Sequence, residues 1–425
     1  MSERRTYLLY NASLTIAAPM ARVWLRAHAA HRVLLERFAP SVAPFEGETL
    51  WVHACSVGEV ATARPILAAL KERFPNASCL LTSSTATGFA LASKANEADA
   101  VAWCPFDTRA ALRRFLDTAR PRALVLVETE IWPNMLRECR RRDIPVIIVN
   151  GRLSDKHFVR YRQRAKWLRP VFAQLSAVGV QNDVYAERFA ALGVAPERIV
   201  VTGNTKFDGV ATTVAPRARP RLRAELGWGP ETPVLVFGST RPGDEALAAA
   251  CWARLAGEFP ELRLAVAPRH LDRAGEAAAC FGEEVARRSL LKEKKQRPGE
   301  HRVLIVDTLG ELVAFYALAT VAVIGGSFHP GVNGHNPLES AALGVPTVFG
   351  PYMSNFPDPA RALTEADGAI QVPAPEALCE TLSHLLRDAA QRQRLGTRGR
   401  KAVLAEQGAI ARNVVLIARE LGETP

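Results

Sequence analysis

The sequence predicts an α/β fold built from two successive parallel sheets. Short runs rich in Val, Ile and Leu recur along most of the chain, and the intervals between them have the length of a helix with its loops. Runs that are apolar throughout are typical of parallel strands buried on both faces. The predicted strands are 50–54, 79–82, 123–127, 146–149, 177–180 and 199–202, followed by 234–237, 262–267, 303–306, 321–324, 347–349 and 369–372.

The length and a break in the pattern predict two domains. A chain of 425 residues is too long for one ordinary core. Residues 209–220 include two prolines and show no periodicity, and they separate two strand-helix series of similar length. We therefore expect two Rossmann-like domains facing across a cleft. The predicted divisions are an N-terminal segment 1–37, a first domain 38–208, a linker 209–221, a second domain 222–400 and a C-terminal helix 401–425, for which packing back on the first domain stays open.

Composition limits the possible partners and compartments. The formal net charge is +11 and the pI is about 9.6, which favours nucleic acid, anionic lipid surfaces or acidic small molecules as partners. No nucleic-acid-binding motif is present, so no nucleic-acid partner is predicted. The seven cysteines are scattered singly, which suits a reducing compartment and argues against disulfides or a zinc site.

The N-terminus is predicted to contact a membrane. Residues 6–21 contain no charge, and arginines lie on both sides of them. We expect a helix that inserts shallowly or spans marginally, with its arginines meeting anionic headgroups. A signal peptide and a purely structural helix are the alternatives; the cysteine pattern argues against the first.

In the first predicted domain, polar residues follow two strands. Ligands of open α/β sheets bind beyond the carboxyl ends of the strands. Residues 56–59, Ser-Val-Gly-Glu, follow the run 50–54 and open a helix, although Ser56 and Glu59 also have the spacing of a purely structural capping box. Residues 128–134, Glu-Thr-Glu-Ile-Trp-Pro-Asn, follow the run 123–127. Glu128 and Glu130 are one residue apart, so we expect them to point to different sides and to serve different roles.

The second predicted domain carries features of a nucleotide site. Turns containing Gly, Ser or Arg follow the runs 234–237, 262–267 and 321–324. Asn336 is the predicted N-cap of a helix that starts at Pro337. Glycines with a helix N-terminus can hold an anion, and Arg269 adds a fixed positive charge for phosphate. Without a P-loop, a dinucleotide fingerprint or a metal motif, this pattern favours a nucleotide-sugar transferase over a kinase or a dehydrogenase.

These motifs together resemble those of the bacterial transferases of 3-deoxy-D-manno-octulosonic acid (Kdo). The resemblance runs in the same order from about residue 7 to residue 373. Its six motifs are Ser-Val-Gly-Glu (56–59), Glu-Thr-Glu-Ile-Trp-Pro-Asn (128–134), Thr-Lys-Phe-Asp (205–208), Pro-Arg-His (268–270), Asp-Thr-Leu-Gly-Glu-Leu (307–312) and Gly-His-Asn-Pro-Leu-Glu (334–339).

The resemblance implies a GT-B glycosyltransferase with the acceptor domain first and the donor domain second. It implies CMP-Kdo as donor, a lipid A precursor of the lipid IVA type as acceptor, and inversion at the anomeric carbon with neither metal nor cofactor. It also implies attachment to the cytoplasmic face of the inner membrane. The number of Kdo residues transferred and the oligomeric state are left open.

By the same resemblance, particular residues receive roles. Glu59 matches the catalytic base and Glu128 a second acid needed for activity. Arg269 looks like a ligand of the phosphate or of the donor carboxylate, and Asn336 and Glu339 look like nucleotide contacts. The remaining donor-side residues are Ser239, Thr240, His270, Gly326 and Ser327, and the acceptor-side residues are Ser56, Gly58 and Lys206.

The chain departs from the family pattern in its donor domain. Arg-Pro-Gly (241–243) stands where relatives commonly have His-Glu-Gly, Asn333 replaces one of two glycines, and residues 328–333 are altered. A basic segment in the first domain, 152–169, has seven Lys or Arg against one Asp and suits either a phosphorylated acceptor or plain solvent exposure. The alternative functions are a GT-B transferase or epimerase using a UDP-sugar, and a membrane-associated binder of nucleotide sugars without catalysis.

Overall fold

The computed structural model describes residues 3–282 and 285–423. The chain divides into two compact units. The first comprises the described residues of Met1–Gly209 and Gln407–Pro425, and the second those of Val210–Glu406.

The first unit is built on a parallel sheet with helices on both faces. Within the described residues its seven strands are ordered β3-β2-β1-β4-β5-β6-β7. The strands are β1 (Thr49–His53), β2 (Ser78–Ser83), β3 (Ala100–Trp103), β4 (Pro121–Val127), β5 (Val146–Gly151), β6 (Ala177–Val180) and β7 (Ile199–Val201). The helices are α1 (Glu3–Ala27), α2 (Val57–Arg73), α3 (Ala86–Ala92), α4 (Arg109–Ala119), α5 (Pro133–Arg140), α6 (Asp155–Gln163), α7 (Ala165–Phe172) and α8 (Asp183–Ala191), with 3₁₀ helices at Ala29–Phe38 and Pro196–Arg198.

Successive residues of the central strands enter two different cores. Trp51 packs into one cluster, while its neighbours Leu50 and Val52 pack into the cluster on the other face. Such strands need an apolar residue at every position, which is why they read as unbroken apolar runs. The order of the strands reverses between β1 and β4, so a switch point of the topology lies between these two strands.

The second unit repeats this plan with a different order. Within the described residues its seven parallel strands are ordered β10-β11-β9-β8-β12-β13-β14, with the switch point between β8 and β12. The strands are β8 (Val234–Thr240), β9 (Arg263–Pro268), β10 (Val285–Arg287), β11 (Val303–Ile305), β12 (Val321–Ile324), β13 (Thr347–Phe349) and β14 (Ala369–Gln371). The helices are α9 (Ala218–Leu226), α10 (Asp244–Glu258), α11 (Ala274–Ala279), α12 (Arg288–Lys292), α13 (Leu312–Leu318), α14 (Leu338–Ala341), α15 (Pro357–Glu365), α16 (Leu378–Arg387) and α17 (Ala389–Glu406), with 3₁₀ helices at Leu271–Arg273 and Pro375–Ala377.

The last helix, α18 (Ala409–Glu420), belongs to the first unit. It packs against α2, β5 and β6, and its Ile417 is buried in the core that contains Leu50 and Val52. Asp208 caps the start of this segment, because its carboxylate accepts hydrogen bonds from the backbone N–H groups of Gly408 (2.7 Å) and Ile410 (2.5 Å).

The predicted α/β fold with two parallel sheets is confirmed, and every predicted run corresponds to a strand. Two strands were missed, β3 and β10, and both lie at sheet edges. At the N-terminus the uncharged segment lies within α1, which continues through Pro19. Among the residues that the structure describes, no helix has both the length and the apolar composition that a membrane crossing requires.

Candidate functional site

The first group of site residues lies where β1 passes into α2. Ser56 caps α2, and its hydroxyl oxygen accepts a hydrogen bond from the Glu59 backbone N–H (3.4 Å). The Glu59 carboxylate accepts one bond from the Cys55 backbone N–H (2.8 Å) and one from the Ser56 hydroxyl (2.9 Å). The spacing of a capping box is thus realised, with Cys55 N–H in place of the N-cap N–H. Both carboxylate oxygens are consequently held in fixed directions.

Glu59 is also an unusual acid. The side chain is half-buried, and burial raises its pKa to about 7. The negative charges of Glu130 and Glu128 act in the same direction, while the bonds from Cys55 and Ser56 oppose it. A carboxyl group that titrates near neutral pH can accept a proton during a reaction and release it afterwards, which is what a general base requires.

Glu128 fastens the loop after β4 to the loop after β5. Its backbone has a φ of 63°, in the left-handed region, and its N–H donates to the Val149 carbonyl (3.0 Å). Its carboxylate forms an ion pair with the Arg152 Nε at 2.8 Å. Glu128 and Glu130 therefore have different partners, as their spacing predicted.

Glu130 was not among the predicted site residues, yet it lies close to Glu59. The Cys55 Sγ and one carboxylate oxygen each of Glu59 and Glu130 all lie within 4.8 Å of one another. The Trp132 Nε1–H donates to the Glu130 carboxylate at 2.9 Å. The position of both acids after strands of the switch point signalled the region, but spacing alone gave no sign of which acid faces Glu59.

Within the described residues, these three side chains form the group whose ligand atoms lie close enough together to hold a metal ion. Burial raises the pKa of the Cys55 thiol to about 12, and a metal binds the thiolate rather than the thiol. The donor set is therefore a poor match for a resident cation. The absence of a metal from the reaction stays a prediction.

Two buried polar side chains, His53 and Arg37, lie close to these acids. His53 is fully buried, and burial together with the charge of Arg37 lowers its pKa to about 3. The Arg37 guanidinium donates to the backbone carbonyls of Cys104 (2.9 Å) and Ser84 (3.2 Å) and stacks 4.3 Å from the Phe106 ring centre. Arg37 is thus a fixed buried cation, and His53 stays neutral beside it.

Gly58 and Lys206 differ in their place in the first unit. Gly58 lies in the first turn of α2 between Ser56 and Glu59. Lys206 lies in the turn after β7, and its backbone N–H donates to the Asn204 side chain (3.0 Å). Since β7 is an edge strand, Lys206 follows a different part of the sheet from the β1 and β4 switch point.

In the second unit, two predicted hydroxyls are engaged inside the protein. Thr240, at the end of β8, donates to the Glu245 carboxylate (2.8 Å). Ser327, after β12, donates to the Ile324 carbonyl (2.5 Å) and accepts from the Gly350 N–H (2.8 Å). Both residues are buried, so they shape the turns at the switch point.

Two residues of these turns have backbone angles in the left-handed region. Ser239 has a φ of 57° and Gly326 a φ of 68°. The Gly326 N–H donates to the Asp244 carboxylate at 2.6 Å, and the same carboxylate accepts from the Arg241 N–H at 2.8 Å. Asp244 therefore ties together the turns that follow β8 and β12.

Charged residues meet near these turns. Arg269 and His270 follow β9 and are exposed, and the Arg269 N–H donates to the Thr240 carbonyl (3.0 Å). Burial raises the pKa of Glu339, while a hydrogen bond from Asn336 and the charge of Arg269 oppose the rise. Asn336 and Arg269 therefore both act on the Glu339 carboxyl group.

The Asn336 side chain caps the following turn as predicted, because it accepts a hydrogen bond from the Leu338 N–H at 3.1 Å. Pro337 already has helical angles (φ −83°, ψ −11°), although the regular helix α14 begins only at Leu338 and has four residues. So short a helix contributes little dipole for holding an anion.

Three further donors in the second unit were missed. Arg241 Nε, His329 Nε2 and His335 Nε2 are buried and have no hydrogen-bond partner among the described residues. Burial lowers the pKa of His335 to about 4, and the charges of Arg269, Arg241 and His270 lower it further in the same sense. Arg241 and His329 lie where the sequence departs from its relatives, so no shared pattern signalled them. Together these groups fit a ligand with acidic oxygens.

The comparisons with known proteins agree on one family. A family model described as 3-deoxy-D-manno-octulosonic-acid transferase (kdotransferase) matches residues 28–209. The chain is 35% identical to a 3-deoxy-D-manno-octulosonic acid transferase of Bordetella pertussis, over 90% of this chain and 89% of that protein. It is 31% identical to the enzyme of the same name from Haemophilus influenzae, over 87% of this chain and 86% of that protein.

A solved structure shows the same fold across both units. A glycosyltransferase from Rickettsia africae superposes with a TM-score of 0.58 at 9% identity, covering 89% of this chain and all of that one (100%). The fold is therefore that of the GT-B glycosyltransferases. By its sequence, the chain belongs to the 3-deoxy-D-manno-octulosonic acid transferase family and is a glycosyltransferase that transfers Kdo.

Proposed function

We propose that this chain transfers Kdo from CMP-Kdo to a phosphorylated lipid A precursor of the lipid IVA type, at the cytoplasmic face of the inner membrane. The proposal assigns the acceptor to the first unit and the donor to the second. Its central support is the geometry of Glu59, a half-buried carboxyl with two fixed hydrogen bonds and a pKa of about 7.

The transfer is a single displacement in this proposal. Glu59 takes the proton of an acceptor hydroxyl while that oxygen forms a bond to the anomeric carbon. The bond from the anomeric carbon to the phosphate oxygen breaks at the same time, and CMP leaves with the electron pair. A single displacement inverts the anomeric centre. Glu59 then releases its proton to solvent.

The donor residues stabilise the charge that grows on the leaving phosphate. Arg269 carries a permanent positive charge, and the unpartnered donors of Arg241, His329 and His335 are suited to the phosphate or to the carboxylate of Kdo. Fixed donors aimed at developing charge lower the barrier without reorganising during the reaction. Asn336 and Glu339 are assigned to the nucleoside because polar side chains of this kind recognise ribose hydroxyls and base edges.

The basic segment of the first unit supports a phosphorylated acceptor. Helices α6 and α7 carry exposed basic side chains, and Trp167 of α7 is 41% exposed. Lys and Arg close to an anionic surface contribute about 1 kcal/mol each to binding. A glycolipid that bears phosphates and lies in an anionic membrane matches both features. The basic residues are Arg152, Lys156, Arg160, Arg162, Arg164, Lys166 and Arg169.

Helix α1 supports the membrane part of the proposal. Tyr7 is buried in the core of the first unit, and its hydroxyl accepts from the Gln174 side chain (2.7 Å) beside α7. The outer face is apolar, with Ile16 68% and Met20 67% exposed. A docked helix with an exposed apolar face next to basic helices is suited to shallow insertion among headgroups.

The activity is tested by incubating purified protein with a tetra-acylated lipid A precursor and CMP-Kdo generated in situ. Mass spectrometry of the acceptor should show a gain of one or more Kdo units, and their number would be read from the same spectrum. Reactions without CMP-Kdo, or with UDP-sugars in its place, are the controls. An unchanged acceptor mass in protein that still binds CMP would contradict the assigned acceptor or donor sugar.

A further inference from the structure

Glu130 has no part in the displacement described above, although its carboxylate is placed beside the base. One of its oxygens lies within 4.8 Å of a Glu59 carboxylate oxygen. The Cys55 Sγ lies within the same distance of both. The Trp132 indole fixes the Glu130 carboxylate from its own loop (2.9 Å). Two acids are therefore held close together by independent anchors on different strands.

The charges around this pair leave Glu130 largely uncompensated. His53 Nε2 is 3.9 Å from the Glu130 carboxylate, but the imidazole is neutral at physiological pH because its pKa is lowered to about 3. The Arg37 guanidinium acts on Glu130 through space, while its own hydrogen bonds go to backbone carbonyls. Burial raises the pKa of the Tyr161 phenol in α6, and the negative charge of Glu130 raises it further.

Glu128 makes a smaller contribution to the same field. Its carboxylate is paired with Arg152 at 2.8 Å, so its negative charge is offset where it lies. The influence of Glu130 on Glu59 accordingly ranks ahead of that of Glu128.

Resting on the proposed function, we propose that Glu130 is a positioning residue whose negative charge, held beside Glu59, makes Glu59 a stronger base. A like charge nearby disfavours the ionised form of a carboxyl group. The acceptor proton is then taken up more readily, because its transfer removes the repulsion between the two carboxylates. Burial raises the pKa of Glu130 as well, while the hydrogen bond from Trp132 and the positive charge of Arg37 oppose the rise and favour the ionised form. The raised pKa of Glu59 agrees with this arrangement, although burial is its largest cause.

The test compares pH–rate profiles of wild type and Glu130→Gln. Glutamine keeps an oxygen that can accept the Trp132 hydrogen bond but removes the charge. The acid limb of kcat/KM should move to lower pH by about one unit, as expected for loss of a like charge at this distance. The plateau rate should fall, because a weaker base removes a proton less effectively.

Glu48→Gln is the matched control. Glu48 precedes β1 at the opposite end of the strand and pairs with Arg122, so the substitution removes one negative charge from the same unit without touching the pair. Its acid limb should stay where it is in wild type. An unmoved acid limb in active Glu130→Gln would overturn the proposal, and it would leave Kdo transfer by the wild type intact.

A second measurement does not depend on activity. The Glu130 and Glu59 charges raise the pKa of the Cys55 thiol, with burial as the larger cause. In Glu130→Gln, alkylation of Cys55 at pH 8.5 should therefore be about tenfold faster for each pKa unit lost, since the thiolate reacts. Peptide-resolved mass spectrometry can use the exposed Cys280 of the same chain as the reference. A Cys55 rate that does not change relative to Cys280 would count against a charge effect of Glu130.

Discussion

At the scale of single residues, His53 shows how burial sets a protonation state. The ring lies wholly inside the first unit, where Nδ1 contacts the Thr82 hydroxyl (3.0 Å) and the Ser84 hydroxyl lies 3.5 Å from Nε2. Its pKa falls from 6.5 to about 3, because charging the ring would bury a cation near Arg37. The contribution of His53 to stability is therefore complete above pH 6.5, and it is lost as the pH falls towards 3.

This dependence of stability on pH gives a prediction for His53→Gln. The variant should have a lower free energy of unfolding than wild type at pH 7. This difference should shrink by about 2–3 kcal/mol at pH 4.5, because there the histidine takes up a proton in the unfolded wild type but not in the folded one, and glutamine does not titrate. Urea unfolding of both proteins at the two pH values measures the difference. A deficit that is the same at pH 7 and pH 4.5 would contradict the assignment.

The sequence predicted which residues lie at the site better than it predicted where their side chains point. Ser56 and Glu59 were placed correctly after β1, because a strand end followed by a capping pattern fixes both ends of the turn. The neighbour of Glu59 could not be chosen between Glu128 and Glu130. The backbone at Glu128 is in the left-handed region (φ 63°), which changes the direction of the chain. The spacing of residues in the sequence does not show this change of direction.

At the scale of elements, α1 has two faces with different predicted roles. Tyr7 and Leu25 are buried, so deleting the helix would uncover the core as well as remove the membrane face. Ile16→Glu with Met20→Glu changes only the exposed face. Binding to anionic vesicles should fall by at least about a hundredfold, from the lost apolar contact and the added repulsion.

Vesicle sedimentation measures this binding. Val201→Glu with Val415→Glu is the matched control, because both valines are similarly exposed in the same unit but lie outside α1. That control should sediment like wild type. If the α1 variant also sediments like wild type, α1 is a structural helix and the membrane proposal for it is wrong.

Both missed strands lie at a sheet edge. Strands β3 and β10 lie at the edges of their sheets, and each is only partly buried. An edge strand pairs on one side only and does not need an apolar residue at every position. The β10 sequence (Val-Ala-Arg) accordingly has no apolar run, and that of β3 (Ala-Val-Ala-Trp) is only four residues long, whereas the edge strands β7 and β14 were recognised. Central strands were recognised without exception, because burial on both faces demands such a run.

At the scale of the whole molecule, each sheet brings several predicted site residues to its switch point, whereas Lys206 follows β7, and Arg269 and His270 follow β9. Residues after β1 and β4 meet in the first unit, and residues after β8 and β12 meet in the second. The general rule for open sheets therefore located both regions from the sequence. It could not supply Arg241 and His329, because their burial and missing partners arise only from the folded turns.

The donor assignment predicts which nucleotide stabilises the protein. CMP at about one hundred times its Kd should stabilise the folded state by about 2.7 kcal/mol, which raises Tm by several degrees. UMP at the same concentration should have a much smaller effect. Calorimetric melts with each nucleotide provide the comparison, and Arg269→Gln should weaken the CMP effect. Equal stabilisation by UMP would favour a donor other than CMP-Kdo.

The most direct test of the account is the rate of Kdo transfer by Glu59→Gln. Glutamine keeps one oxygen that can accept the hydrogen bond from the Cys55 N–H, and its amide can donate to the Ser56 hydroxyl oxygen, but it cannot take up the acceptor proton. With CMP-Kdo and lipid A precursor saturating, kcat should fall by about 10²–10⁴-fold, while CMP binding measured by calorimetry stays at the wild-type level. A kcat within a few-fold of wild type would show that Glu59 is not the base.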